Sequence, residues 1–280
     1  MKITLVGPTY PFRGGISHYM TLLCRALRQH HDVKFISFLR QFPRLIYPGQ
    51  SDRDDSLEPV KVEDVEYVLD SLNPTTWRVA VERIADYGPD KVIIPWWVAF
   101  WTPHFFYLAN SVKRITDAEL VFICHNVVEH ESNWLKQLAT KTVLCRADRL
   151  ITHSRKETER ALDLIGTSAR VVTGFHPVYE DLTEKRYPKK TAKNRLGLGR
   201  DPTLLFFGFV RPYKGLHVLL EAMPLILQDR SVTLLVVGEF WNDRRTYSDQ
   251  IEELNIGSAV RIIDRYVPNE EVPLYFGATD

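Results

Sequence analysis

Short apolar runs alternate with amphipathic helical stretches along almost the whole chain, and hardly any hairpin turn signal separates them. Ile3–Val6, His31–Phe38, Val65–Leu69, Asp90–Pro95, Leu120–Cys124, Arg149–Thr152 and Arg170–Thr173 read as strands. Between them, Thr75–Tyr87 carries Trp77, Val81 and Ile84 at near-helical spacing, and Pro103–Ile115 starts behind Thr102 as a cap. Trp134–Cys145 reads as a helix, and Ser154-Arg155-Lys156-Glu157 is a capping box that opens another, running to Ile165. Strands that alternate with helices are joined by crossovers, and crossovers build parallel sheets. The expected fold class is α/β, doubly wound, with helices covering parallel sheets.

One stretch carries the clearest chemical signal. Leu204–Phe207 has the character of a buried parallel strand, and Gly208 then breaks the pattern. Arg211, Pro212, Tyr213, Lys214 and Gly215 follow, and Leu216, Leu219, Leu220, Met223 and Leu227 then mark one face of a helix. A helix start offers unpaired N–H groups and partial positive charge. Arg211 and Lys214 beside it make a loop suited to a phosphate or diphosphate. The amino terminus echoes this arrangement: Ile3–Val6, Gly7, then Pro11-Phe12-Arg13-Gly14-Gly15, then a helix with Ile16, Tyr19, Met20, Leu23 and Leu27 as its expected buried face. Two such openings suggest two doubly wound domains, although any two strand–loop–helix units share this look.

At 280 residues the chain has room for two domains. Residues 1–178 read as the first, the polar and basic stretch 179–202 (Lys185, Arg186, Lys189, Lys190) as a linker, and 203–280 as the second. The second shows strands at Leu204–Phe207, Val232–Val237 and Val260–Ile263, and helices near Tyr247–Leu254 and from Asn269. A doubly wound domain usually has about five or six strands, so the second domain reads as incomplete and the chain as part of a longer protein.

Composition narrows the function. Lys and Arg total 36 against 35 Asp and Glu, a net charge of +1 with no long basic run, which argues against nucleic acid as a partner. Cys24, Cys124 and Cys145 form no C-x-x-C pair and each lies in an apolar pattern, so all are expected as buried free thiols in a reducing, cytoplasmic setting. The opening MKITLVGP is too short for a signal-peptide core. Val92–Ala109 approaches the length of a membrane span, but Pro95, Pro103 and His104 interrupt it.

Several residues have two readings each. Arg40 and Arg44, in the long irregular loop 40–59, either meet an anionic or hydroxyl-rich substrate or are simply solvated. His125, at a strand's carboxyl end, either faces a ligand or hydrogen-bonds a neighbouring loop. Trp96, Trp97 and Trp101 either line an acceptor surface or fill the core. Glu129 and Glu131 either contact an acceptor or lie on the surface, and His130-Glu131 lacks the second histidine of a zinc motif because position 134 is Trp134. Neither glycine loop has the G-x-G-x-x-G spacing of a nicotinamide site.

Taken together, FFGFVRPYKGLHVLLEAM with LLVVGE, PFRGGISHYMTLLCRAL, CHNVVEHE and DRLITHSRKETERAL resemble the retaining GT-B glycosyltransferases of family 4, over the whole chain. The resemblance implies two Rossmann-like domains with a cleft between them, the nucleotide sugar on the carboxy-terminal domain and the acceptor on the other. The acceptor class stays open among glycans, lipid-linked glycans and small molecules, and a lipid-linked one would bring peripheral contact with the inner membrane face. The resemblance further implies no metal and no other cofactor, because cationic side chains and helix N-termini steady the leaving diphosphate. It makes Lys214 the diphosphate-binding lysine and Gly14 and Gly15 the loop whose amides approach the diphosphate or reacting sugar. It places His125 near the reacting sugar and Val267 in the region that contacts the base. Arg211 is the partner arginine by the same resemblance, two residues beyond the commoner position, which Phe209 occupies here. The family's acidic motif is expected beyond residue 280, so this chain alone is expected to be inactive or nearly so.

Overall fold

In the computed structural model, residues 1–43, 47, 49–128, 133–166, 170–179, 186–241 and 243–280 are described. They divide into two units: Met1–Tyr47, Asp52–Asp54 and Val60–Val178 in the first; Pro48–Ser51, Asp55–Pro59 and Tyr179–Asp280 in the second.

The first unit is built on seven strands: β1 (Lys2–Val6), β2 (Asp32–Arg40), β3 (Val65–Asp70), β4 (Lys91–Trp96), β5 (Glu119–Cys124), β6 (Arg149–Thr152) and β7 (Arg170–Thr173). Their order in the sheet is β3-β2-β1-β4-β5-β6-β7, and every neighbouring pair is parallel. The connecting helices are α1 (Gly15–Arg28), α2 (Pro74–Tyr87), α3 (Thr102–Ile115), α4 (Trp134–Leu144) and α5 (Arg155–Ile165). Their starts are written in the sequence. Asn73 accepts from the Thr75 N–H, Asn133 from Lys136 and Ser154 from Glu157, each satisfying a donor the helix cannot. The order reverses between β1 and β4, and the crevice beyond their carboxyl ends is where such sheets bind ligands.

The core of this unit draws Ile94, Trp96, Leu120, Phe122 and Leu150 from the strands and Phe105, Leu108 and Val112 from α3. Trp96 and Trp101 are fully buried there and only Trp97 is half-buried, so two of the three tryptophans fill the core and do not line a ligand surface. On α1, Tyr19 and Met20 are buried as expected, but Ile16, Leu23 and Leu27 are only half-buried. Ser17, His18, Thr21 and Cys24 turn inward in their place, and Thr21 Oγ1 bonds the Ser17 carbonyl and Thr9. Polar residues on a helix's inner face are legible only once their partners are known. Cys24 and Cys124 are buried, whereas Cys145, at the carboxyl cap of α4, is exposed.

The second unit carries β8 (Thr203–Phe207), β9 (Thr233–Val237) and β10 (Val260–Ile263), parallel and in the order β10-β9-β8. Its helices are α6 (Lys189–Leu196), α7 (Leu216–Asp229), α8 (Arg244–Glu253) and α9 (Val272–Gly277). Strand periodicity sorts the core onto two faces. Leu234 and Val236 of β9 pack with Leu216, Leu220 and Met223 of α7, while Leu235 and Val237 pack with Ala192, Leu196 and Tyr275. The basic stretch 179–202 thus contains a helix, α6, whose buried Ala192 and Leu196 hold it to the sheet despite its charge. Within α7, Leu219 and Leu227 are only partly buried. No helix among the described residues is long and apolar enough to cross a membrane.

Candidate functional site

In the second unit the chain leaves β8 through Gly208, whose φ of +106° suits only glycine. A short 3-10 turn, Pro212–Lys214, follows, and Gly215, also left-handed, starts α7 with no side-chain cap. The first N–H groups of α7 therefore end on a loop that holds Arg211 and Lys214. Most of Lys214 is exposed, but its ammonium end turns back over Gly208. Partial desolvation there, and the nearby Arg211 charge, hold its pKa below the usual lysine range. Two cations this close repel each other, and an anion placed between them would relieve that repulsion.

The loop after β9 completes this edge. Val210 N–H donates to the Glu239 carbonyl at 2.9 Å, and Trp241 N–H donates to the Val210 carbonyl at 3.2 Å. A parallel bridge, Val210 to Phe240, lies between these bonds and carries the β8–β9 pairing past Gly208 of one strand end and Gly238 of the other. Val267 is expected near the base chiefly through its backbone. Its side chain is buried in the core with Leu235 and Tyr275, which leaves only its backbone to meet a ligand.

In the first unit Gly14, with φ +107°, precedes α1 and no side chain caps that helix. Gly7, at the end of β1, meets β4 so closely that a Cβ would lie 2.9 Å from Pro95 Cγ. His125 follows β5 directly, its N–H bonded to the Trp96 carbonyl at 2.8 Å. It does not stand alone. Tyr19 of α1 meets the His125 ring at 4.6 Å between centroids, His153 at 5.3 Å and His176 at 5.4 Å. His125 and His153 are 5.1 Å apart, and His153 and His176 5.2 Å. Burial, then the neighbouring His153 and His176, pushes the pKa of His125 down to about 3, so the ring is neutral at physiological pH. Its Nε2 has no hydrogen-bond partner among the described residues.

Tyr19, His153 and His176 surround His125, a grouping that the sequence reading did not point to. A signal was present: His153 follows β6 as directly as His125 follows β5, and residues just past parallel strands face the ligand edge. No cation-holding Asp-x-Asp motif was expected in this chain, yet the triplet Asp52-Arg53-Asp54 has that spacing. Asp54 is buried with its Oδ2 3.8 Å from His18 Nε2, and Arg53 lies over the Phe12 ring. Among the described residues no three His, Cys, Asp or Glu side chains are arranged to hold a metal. Arg40, at the end of β2, is paired with Asp70 of β3 at 2.6 Å. Arg44, Glu129, His130 and Glu131 lie outside the described residues.

Two parallel-sheet units, one with a cationic loop ahead of a helix and the other with a glycine loop and a strand-end histidine, define a GT-B fold. The chain belongs to glycosyltransferase family 4: residues 13–182 match the model of that family, and residues 188–280 match glycosyl transferases group 1. It is 31% identical over 153 residues to a D-inositol 3-phosphate glycosyltransferase of Streptosporangium roseum, covering 51% of this chain and 35% of that one. A protein of the same description from Acidothermus cellulolyticus is 22% identical over 298 residues, 95% of this chain and 64% of its own. The chain thus spans between about a third and two thirds of these curated relatives. Among solved structures, the Anabaena HepE protein in complex with UDP superposes with a TM-score of 0.69 at 17% identity, over 100% of this chain and 72% of that one. A sucrose-phosphate synthase of Thermosynechococcus elongatus gives 0.67 at 16% identity, over 100% and 74%.

Proposed function

We propose that the protein is a retaining glycosyltransferase that moves a sugar from a nucleoside-diphosphate sugar to a hydroxyl group of a glycan, a lipid-linked glycan or a small molecule. The observation that carries this reading is the pairing of Arg211 and Lys214 on the loop ahead of α7, with the lysine's ammonium partly desolvated beside the arginine. The UDP in the HepE structure supports a nucleoside diphosphate as the ligand class. In this reading the bond between the anomeric carbon and the diphosphate oxygen breaks, and the acceptor oxygen bonds to the same face of the sugar. The acceptor proton passes to the departing phosphate oxygen. Arg211, Lys214 and the uncapped amides of α7 stabilise the developing charge, the kind of preorganised contribution that is usually the largest in such reactions. The amides of the Gly14–Gly15 loop belong to this charge-stabilising set as well. Neutral His125 donates or accepts a hydrogen bond at a sugar hydroxyl. The reading calls for no metal cofactor and places the enzyme in the cytoplasm, at the inner membrane face if its acceptor is lipid-linked.

A screen of UDP- and GDP-sugars on the full-length protein, reading release of free nucleoside diphosphate, tests the proposal. Lys214→Ala is expected to lower turnover by about 100-fold or more. Turnover in that variant close to wild type overturns the proposal, and binding without turnover in the wild type marks a non-catalytic sugar-nucleotide binder.

A further inference from the structure

By the family resemblance, Arg211 lies two residues past the expected arginine position, which Phe209 occupies. A long side chain displaced along a loop loses its target unless something re-aims it. Here two rings do. The Arg211 Cζ lies over the Tyr213 ring, 5.1 Å from its centroid, and over the Trp241 ring at 5.4 Å. Phe209 in turn packs on Trp241, centroids 4.4 Å apart and planes 35° apart. The residue standing where the arginine is usual thus buttresses the ring that holds the displaced one. Trp241 comes from the loop after β9, and the bridge between Val210 and Phe240 brings it beside Arg211.

We infer that Trp241, together with Tyr213, is a positioning residue that holds the Arg211 guanidinium ready to receive a diphosphate jointly with Lys214. The inference rests on the donor-site reading above. Its physical basis is preorganisation. A free arginine loses much rotamer entropy on gripping a phosphate, whereas one already held on two aromatic faces loses less. The attraction of a guanidinium for ring faces supplies the hold, and it leaves the guanidinium edge, where the N–H groups are, open to oxyanions.

Calorimetric titration with UDP and with inorganic pyrophosphate tests it. Trp241→Ala is expected to weaken UDP binding about tenfold, while Trp241→Phe, which keeps a ring face, stays within about threefold of wild type. Tyr213→Ala, at an exposed position where folding is not at stake, is expected to weaken it in the same direction. In an Arg211→Ala background, Trp241→Ala is expected to cost nothing further, because a residue that acts only through Arg211 has nothing left to position. Unchanged affinity in Trp241→Ala and Tyr213→Ala, or full additivity in the double variant, overturns the inference and leaves the donor site standing. A wild type that binds neither UDP nor pyrophosphate overturns both.

Discussion

The ammonium of Lys214 lies directly over Gly208: a Cβ built on that glycine would come within 3.3 Å of Nζ. The lysine folds back over the loop it belongs to, and the space it uses exists because residue 208 has no side chain. Gly208→Ala adds both a methyl under the ammonium and the strain of a φ of +106°, on the order of 1–3 kcal/mol for a non-glycine residue. The variant is expected to lose about that much stability in urea unfolding, and to bind UDP several-fold more weakly at temperatures where it is fully folded. Wild-type UDP affinity in a folded Gly208→Ala protein would show that the lysine's position is immaterial.

Gly238 makes a harsher demand. A Cβ there would fall 2.0 Å from the Gly208 carbonyl oxygen, with a φ of +147° besides. Neither the backbone oxygen nor the adjoining β8–β9 ladder can yield by that distance without parting the two loops. Gly238→Ala is expected to destabilise by more than about 3 kcal/mol and to lower the UDP affinity further than Gly208→Ala does, because it separates Trp241 from Arg211. Urea unfolding checks the first expectation and calorimetry the second.

The fold was legible because its signals are local. Apolar runs at β4, β5 and β9, cap residues such as Ser154, and the Pro212–Gly215 turn declare themselves within a few positions. The pairing of Arg211 and Lys214 was legible for the same reason, since they sit three residues apart on one loop. What escaped was set by pairing between distant segments. Trp241 meets Arg211 only through the register of β8 and β9, and His153 meets His125 only because β5 and β6 are neighbours. The inward face of α1 was misjudged because Thr21 satisfies its hydroxyl on Ser17 and Thr9, a compensation that hydropathy does not register.

The cysteines offer an inexpensive check on the packing. Cys24 and Cys124 are buried, and burial raises both thiol pKa values, which keeps them protonated as well as covered. Cys145 is exposed. An aromatic disulfide reagent at neutral pH is therefore expected to modify one thiol rapidly and the other two only on unfolding, and Cys145→Ser is expected to abolish the fast phase. A fast phase that survives in Cys145→Ser contradicts this packing.

His104 gives the chain a predictable acid sensitivity. It is 1% exposed, with the rings of Phe105, Trp101, Phe38 and Trp77 at 4.3, 5.1, 5.6 and 5.9 Å, and its Nε2 has no hydrogen-bond partner among the described residues. Burial pushes its pKa down to about 3. In the unfolded chain the same group titrates near its ordinary value of about 6.5. Between those two values the unfolded state binds more protons than the folded one, so stability is complete above the unfolded pKa and falls as the pH drops. Taking the pH from 7 to 5 is expected to cost about 2 kcal/mol through this residue. His125, depressed to a similar value, adds a loss of the same sign. Replacing His104 by leucine removes its own titration, and with it an unsatisfied buried nitrogen. Urea unfolding at both pH values is therefore expected to show a loss about 2 kcal/mol smaller in His104→Leu than in wild type. Equal losses in the two proteins would mean that His104 is protonated, and so solvated, in the folded state.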